Sequence, residues 1–269
     1  LQIMAEAMEQ TRRGRDMIPA LRLAANLQPR DDIIAALDKA INKYGFRITE
    51  HRVDKDAAAP RICAEFSEKL AKVGVDYAPF VKLPNQNLVV QTDGSQLCVD
   101  GVEHGARYQV TFRSGLPAAS GERLVKDVAL TLYVGDRTAA VRFPGRAYVL
   151  PKAADAAIPL ETVNLDEVNL LLRRVSDRNV LRTMQEDMFG RPLSQYEDEL
   201  FKQNIGEEVW NGKGTVENAL NQDITTRLPM GDLIKDLPAG LYALTARVPG
   251  VDLYDSAGAT QWFILSDLG

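Results

Sequence analysis

Two stretches of this chain carry the same local signal. In the first, Val102 stands three places before Gly105, and Tyr108 opens an alternating run through Val110 to Thr111. In the second, Leu237 stands three places before Gly240, and Tyr242 opens a run through Leu244 to Thr245. Glycine permits a tight turn, and the tyrosine that follows can pack its ring while its hydroxyl returns to nearby backbone. This is the signature of a corner at which a strand enters a β-sandwich. Two corners 135 residues apart predict two sandwiches in tandem within 269 residues. That length is enough for each to bury its own core.

The rest of the chain agrees with a mainly β fold carrying two helical departures. Residues 1–46 read as helical. Pro29, then Asp31 and Asp32, precede a stripe of Ile33, Leu37, Ile41 and Tyr44 that stops at Gly45. Met17, Leu21, Leu23 and Ala24 suggest a partner helix, giving an αα-hairpin, with further helical turns around Met4 and Met8. From Phe46 the period changes to two. Ile62, Ala64 and Phe66 share a face, and Asp93-Gly94 sits in a hairpin turn between Asn87–Gln91 and Gln96–Val99. Strands are also expected over 107–113 and 124–134, giving a first sandwich over 47–145. A second, over 146–269, has strands near 156–163, 168–175, 208–210, 224–228, 241–248 and 260–265. It is interrupted by a helical insertion over about 177–205, where Ser194 and Glu197 form a capping box. The expected architecture is therefore antiparallel tandem β-sandwiches, the second with a helical insertion, preceded by an N-terminal helical segment.

Composition narrows the function classes. With 45% hydrophobic and 26% charged residues and no long apolar run, the chain has no candidate membrane-spanning helix. A net charge of −5 argues against a nucleic-acid surface. It begins Leu-Gln-Ile-Met, without an initiator methionine, and is expected to be a piece of something longer.

Motifs for chemistry are missing: no phosphate-binding loop, no His-Glu-x-x-His, no Gly-x-Ser-x-Gly. The two histidines, His51 and His104, sit in polar strand and turn contexts that favour solvated or capping roles over a base or a metal site. Acidic clusters at Glu186-Asp187, Glu197-Asp198-Glu199 and Glu207-Glu208 read as solvated helix faces rather than a carboxylate hydrolase. Asp54, Asp56, Asp93 and Asp100 lack calcium-ligand spacing. Trp210 and Trp262 would have to line any sugar-binding face, with core packing as the plainer alternative. No catalytic, cofactor-binding or metal-binding residue is expected, and no cofactor.

Cys63 and Cys98 fit neither a zinc site nor a redox pair. By count alone a bridge and two buried thiols stand level. Their placement in strands of one module favours the bridge, which would stabilise the fold on the order of 3 kcal/mol.

Several phrases resemble a known family. Leu97–Val110 with Ser114–Pro117, Arg61–Glu68, Val141–Pro151 and the closing Gln261–Gly269 are similar to the early macroglobulin-like modules of bacterial alpha-2-macroglobulins. The likeness covers roughly 47–269, and the helical start is similar to an extension found in some members. It rests on structural residues. The resemblance implies macroglobulin-like sandwiches within a large periplasmic protease-trapping inhibitor, in many members lipid-anchored to the inner membrane. Its partners would be other domains of the same chain and, through the full-length protein, proteases. The oxidising compartment it implies further favours a Cys63–Cys98 disulfide. Two departures stand out. The Cys-x-x-Gln thioester pattern is absent, since Cys63 is followed at that distance by Phe66 and Cys98 by Gly101, and no stretch resembles a bait region. The resemblance therefore implies a scaffold fragment; the alternative is an adhesin-like or carbohydrate- or peptidoglycan-binding sandwich module.

Overall fold

The computed structural model describes residues 1–70, 74–145, 147–251 and 258–267. Arg146 and Leu268-Gly269, which belong to the resembling phrases, lie outside them. The chain divides into two compact units, Leu1–Gly135 and Asp136–Gly269.

The first unit begins with helices α1 (Gln2–Gln10), α2 (Met17–Leu27) and α3 (Asp31–Tyr44). Ala5, Met17, Ile18, Leu21 and Ala40 form their shared core. The α2 face differs from expectation at Leu23, which is half exposed, because the buried stripe runs through Ile18 and Leu21 instead. Arg22 donates to both carboxylate oxygens of Glu122 at 2.9 Å, tying α2 to the sandwich that follows.

That sandwich has two sheets. Strands β1 (Ile48–Asp54), β2 (Arg61–Phe66), β4 (Val89–Asp93) and β5 (Gln96–Asp100) lie in the order β1-β2-β5-β4. Strands β3 (Val81–Lys82), β6 (Arg107–Phe112) and β7 (Val128–Tyr133) lie in the order β3-β6-β7. The period-2 pattern turns Ile62, Ala64, Phe66, Leu97 and Val99 of one sheet towards Val110 and Phe112 of the other. Phe66 stacks on Phe46 and meets Phe112 edge-on, with centroids 5.1 and 5.8 Å apart. Gly94, in the left-handed region at φ +61, closes the β4–β5 hairpin.

The second unit holds β8 (Ala140–Arg142), β9 (Ala147–Pro151), β10 (Ala157–Val163), β11 (Glu167–Val175), β12 (Gly206–Thr215), β13 (Ile224–Pro229), β14 (Gly240–Arg247) and β15 (Ala259–Ser266). One sheet runs β13-β10-β8 and the other β12-β11-β14-β15-β9. Among the described residues every strand pairing is antiparallel except β9 on β15, whose parallel run is possible because more than a hundred residues separate them. Leu160 and Leu228 face Val168, Leu170, Leu172, Leu244 and Phe263 across the gap. Between β11 and β12 the chain makes helices α4 (Asp177–Gln185) and α5 (Gln195–Asn204), the expected insertion; a single turn, α6 (Gly231–Ile234), follows β13. The architecture is thus a mixed sheet-and-helix one, consistent with tandem sandwiches. Among the described residues no helix is long and apolar enough to cross a membrane.

Candidate functional site

Both glycine–tyrosine stretches are corners, closed by opposite hydrogen-bond senses. At the first, the Glu103 N–H donates to Tyr108 Oη at 2.9 Å, while Gly105, at φ +77, donates its N–H to Val134 O at 2.7 Å. At the second, Tyr242 Oη donates to Pro238 O at 2.7 Å. Its ring, stacked on Phe263 at 5.5 Å, is fully buried, and burial pushes the phenol pKa up. Each hydroxyl satisfies one main-chain group of the turn that would otherwise lack a partner.

Cys63 and Cys98 occupy directly opposed positions on β2 and β5, with Cα atoms 4.0 Å apart, and are joined in a disulfide. The alternation that sends Ile62, Ala64 and Leu97 into the core places the bridge on the other face of that sheet.

The helical insertion covers the outer face of the five-stranded sheet. Phe201 and Phe189 meet Trp262 edge-on at 5.4 and 5.7 Å, and Met188, Leu193 and Ile205 complete the contact with Val175, Leu241 and Ala243. Trp262 is fully buried and donates its indole Nε1–H to Arg191 O at 2.9 Å. Beside this apolar cluster lies a buried charge group, which corrects the reading of Asp198 as part of a solvated helix face: the side chain is buried because α5 turns it towards two strand arginines. Asp198 of α5 accepts from Arg173 of β11 at 2.8 Å and from Arg247 of β14 at 2.5 Å. Arg173 is only 2% exposed, and its guanidinium also lies over the Phe201 ring, 5.4 Å from the centroid. No local motif marks an arginine on a strand as buried; its neighbour along the strand, Arg174, reads the same.

The remaining candidates are occupied structurally. Glu197 closes the capping box, accepting from the Ser194 N–H at 2.8 Å, and is clamped by both terminal nitrogens of Arg191. That ion pair, reinforced by Ser194, holds its carboxyl at a pKa of about 2, so it stays ionised and has no proton to give a glycosidic oxygen at neutral pH. Glu186 pairs with Arg182 at 2.8 Å. Asp54 and Asp100 sit on opposite sides of Arg61 in the sheet register, while Asp93 lies at the far end of the β4–β5 hairpin; a cation between them would meet the arginine first. His104 Nε2 lies 2.7 Å from Lys55 O, and His51 is exposed in the middle of β1. Among the described residues no group of three His, Cys, Asp or Glu side chains could hold a metal ion. Trp262 has no face for a sugar. Trp210 remains part-exposed beside a cavity of the second unit.

Residues 142–263 match the family model of the bacterial alpha-2 macroglobulin MG2 domain. That stretch, a little under half of the chain, is similar to a macroglobulin domain of the bacterial alpha-2-macroglobulins. The chain is 23% identical over 239 residues to the alpha-2-macroglobulin of Xylella fastidiosa (strain 9a5c), covering 84% of the chain and 14% of that relative. With the Escherichia coli (strain K12) alpha-2-macroglobulin it shares 24% over 160 residues, 60% of the chain and 10% of the relative. A solved structure of Salmonella alpha-2-macroglobulin reacted with methylamine superposes with a TM-score of 0.51 at 17% identity, covering 82% of this chain and 13% of that one. The alpha-2-macroglobulin match takes in the second corner, the helical insertion and both tryptophans.

Proposed function

We propose that this fragment is the architectural part of a periplasmic, protease-trapping alpha-2-macroglobulin: a helical N-terminal segment and two macroglobulin-like modules that hold the trap's framework and carry movement after a protease has cut elsewhere. The observation that carries this reading is the fate of the reactive groups. Glu197, Asp198, Asp54 and Asp100 are engaged by arginines of their own unit, and His104 by main chain. Neither cysteine has a glutamine three residues on, and on this reading thioester and bait belong to other segments of the parent. The parent's partners would be its own further domains and proteases, and its anchor a lipid on the inner membrane.

The isolated chain, mixed with elastase or trypsin, is expected to leave cleavage of a small substrate and of a protein substrate unchanged, and methylamine to add no mass to it. Stoichiometric retention of protease by the chain alone would overturn the scaffold reading. The carbohydrate-binding alternative predicts saturable binding to peptidoglycan fragments, lost in a Trp210→Ala variant.

A further inference from the structure

Strand β12 ends the five-stranded sheet, so among the described residues its second edge has no strand partner. A free edge presents every other N–H and C=O to whatever lies beside it. The alternation along β12 turns Asn211, Lys213 and Thr215 outward, where Lys213 pairs with Glu167 at 2.6 Å. Turned towards the opposite sheet are Trp210, Gly212 and Gly214. Two of those three inward positions carry no side chain. The Trp210 indole lies across Gly212, and Leu170 and Leu228 close over Gly214. Beside them the sandwich opens sideways into a cavity of about 650 Å³, lined by Trp210, Leu170, Leu244, Leu228, Met230 and Leu233. Its size falls in the range of pockets that enclose a ligand group, and its walls are predominantly apolar.

An unpaired main-chain edge and an apolar hole at its inner side suit one kind of occupant: an extended polypeptide that bonds to the edge while every second side chain turns inward. We propose that β12 receives an extended segment of the parent polypeptide lying outside these 269 residues, with one aromatic or large aliphatic side chain seated beside Trp210. The relatives' length supports that source, since the chain covers only 14% of the Xylella relative. A tethered segment meets the groove at effective concentrations on the order of mM, so one edge and one anchoring pocket suffice. This inference rests on reading the chain as part of a longer macroglobulin.

Hydrogen–deuterium exchange, resolved residue by residue over 206–215, tests it in this chain and in the full-length parent. Alternate β12 amides, those pointing away from β11, should exchange at least ~10-fold more slowly in the parent. Equal rates overturn the proposal; so does protection without alternation, the mark of a covering surface rather than an added strand. In the chain alone, the peptide acetyl-Thr-Val-Thr-Phe-Thr-Val-Thr-amide at about 1 mM should slow the same amides. It should also shift the emission of Trp210, with buried Trp262 as internal reference. A Trp210→Ala variant whose Trp262 emission is unchanged should lose the effect, and a peptide that slows no β12 amide overturns the inference. Protease capture by the parent is measured separately: its absence would sink the scaffold reading while leaving the exchange pattern to stand or fall by itself.

Discussion

Tyr108 and Tyr242 share a sequence pattern yet perform mirrored tasks, one accepting from Glu103 N–H and the other donating to Pro238 C=O. Removing either hydroxyl leaves a main-chain group without its partner, and that asymmetry sets the cost. Tyr242→Phe is expected to lower stability by about 1–3 kcal/mol, read from the urea midpoint with an unchanged slope. Glu197 is the other residue whose environment gives a signed expectation. Its folded pKa of about 2 lies below the ordinary 4.5 because Arg191, then Ser194, favour the carboxylate. Its contribution is therefore present above about pH 4.5 and drains away as pH falls towards 2. Urea midpoints at pH 5 and pH 3 should diverge more in the native chain than in Glu197→Gln; equal divergence would detach Glu197 from acid sensitivity. Both residues were legible from sequence, because a corner and a capping box are written within five positions.

At the scale of elements, the insertion is a cover. Alternation along β15 places Trp262 and Ile264 on one face, but nothing within that strand says that helices begun some eighty residues earlier will bury the tryptophan while Ile264 stays 45% exposed. The cover is held by hydrophobic contact and by Asp198 between two guanidinium groups. Replacing Asp198 with alanine strands the buried Arg173 and should cost on the order of 3–5 kcal/mol. A red shift of Trp262 emission and new proteolytic cuts within 177–205 would register that loosening, and an unshifted spectrum would mean that the apolar contacts alone hold the insertion. The same reasoning explains why the buried triad was illegible. Arg173 and Arg174 are indistinguishable in sequence, and only the pleat, through the face it turns to α5, separates them.

For the molecule as a whole, the two compact units give reduction a selective effect. The Cys63–Cys98 bridge closes a 35-residue separation in the first unit, whereas both tryptophans belong to the second. Dithiothreitol should lower the stability of the first unit by about 3–4 kcal/mol, seen as an earlier circular-dichroism transition. The tryptophan-detected melting midpoint should stay in place; a parallel shift of both signals would show the two units unfolding together.

Sequence by itself determined the class: two sandwich corners, a helical hairpin, a capped insertion, the want of catalytic motifs and a family resemblance. All of these follow from short-range rules, namely turn chemistry, side-chain period and capping. Tertiary structure alone decided which strand faces are covered, that β9 joins its sheet in parallel, that Arg173 is buried with Asp198, and that β12 leaves an edge and a cavity open. Those outcomes depend on residues far apart in the chain meeting across a sheet, and periodicity assigns a side chain to a face without naming what that face will meet.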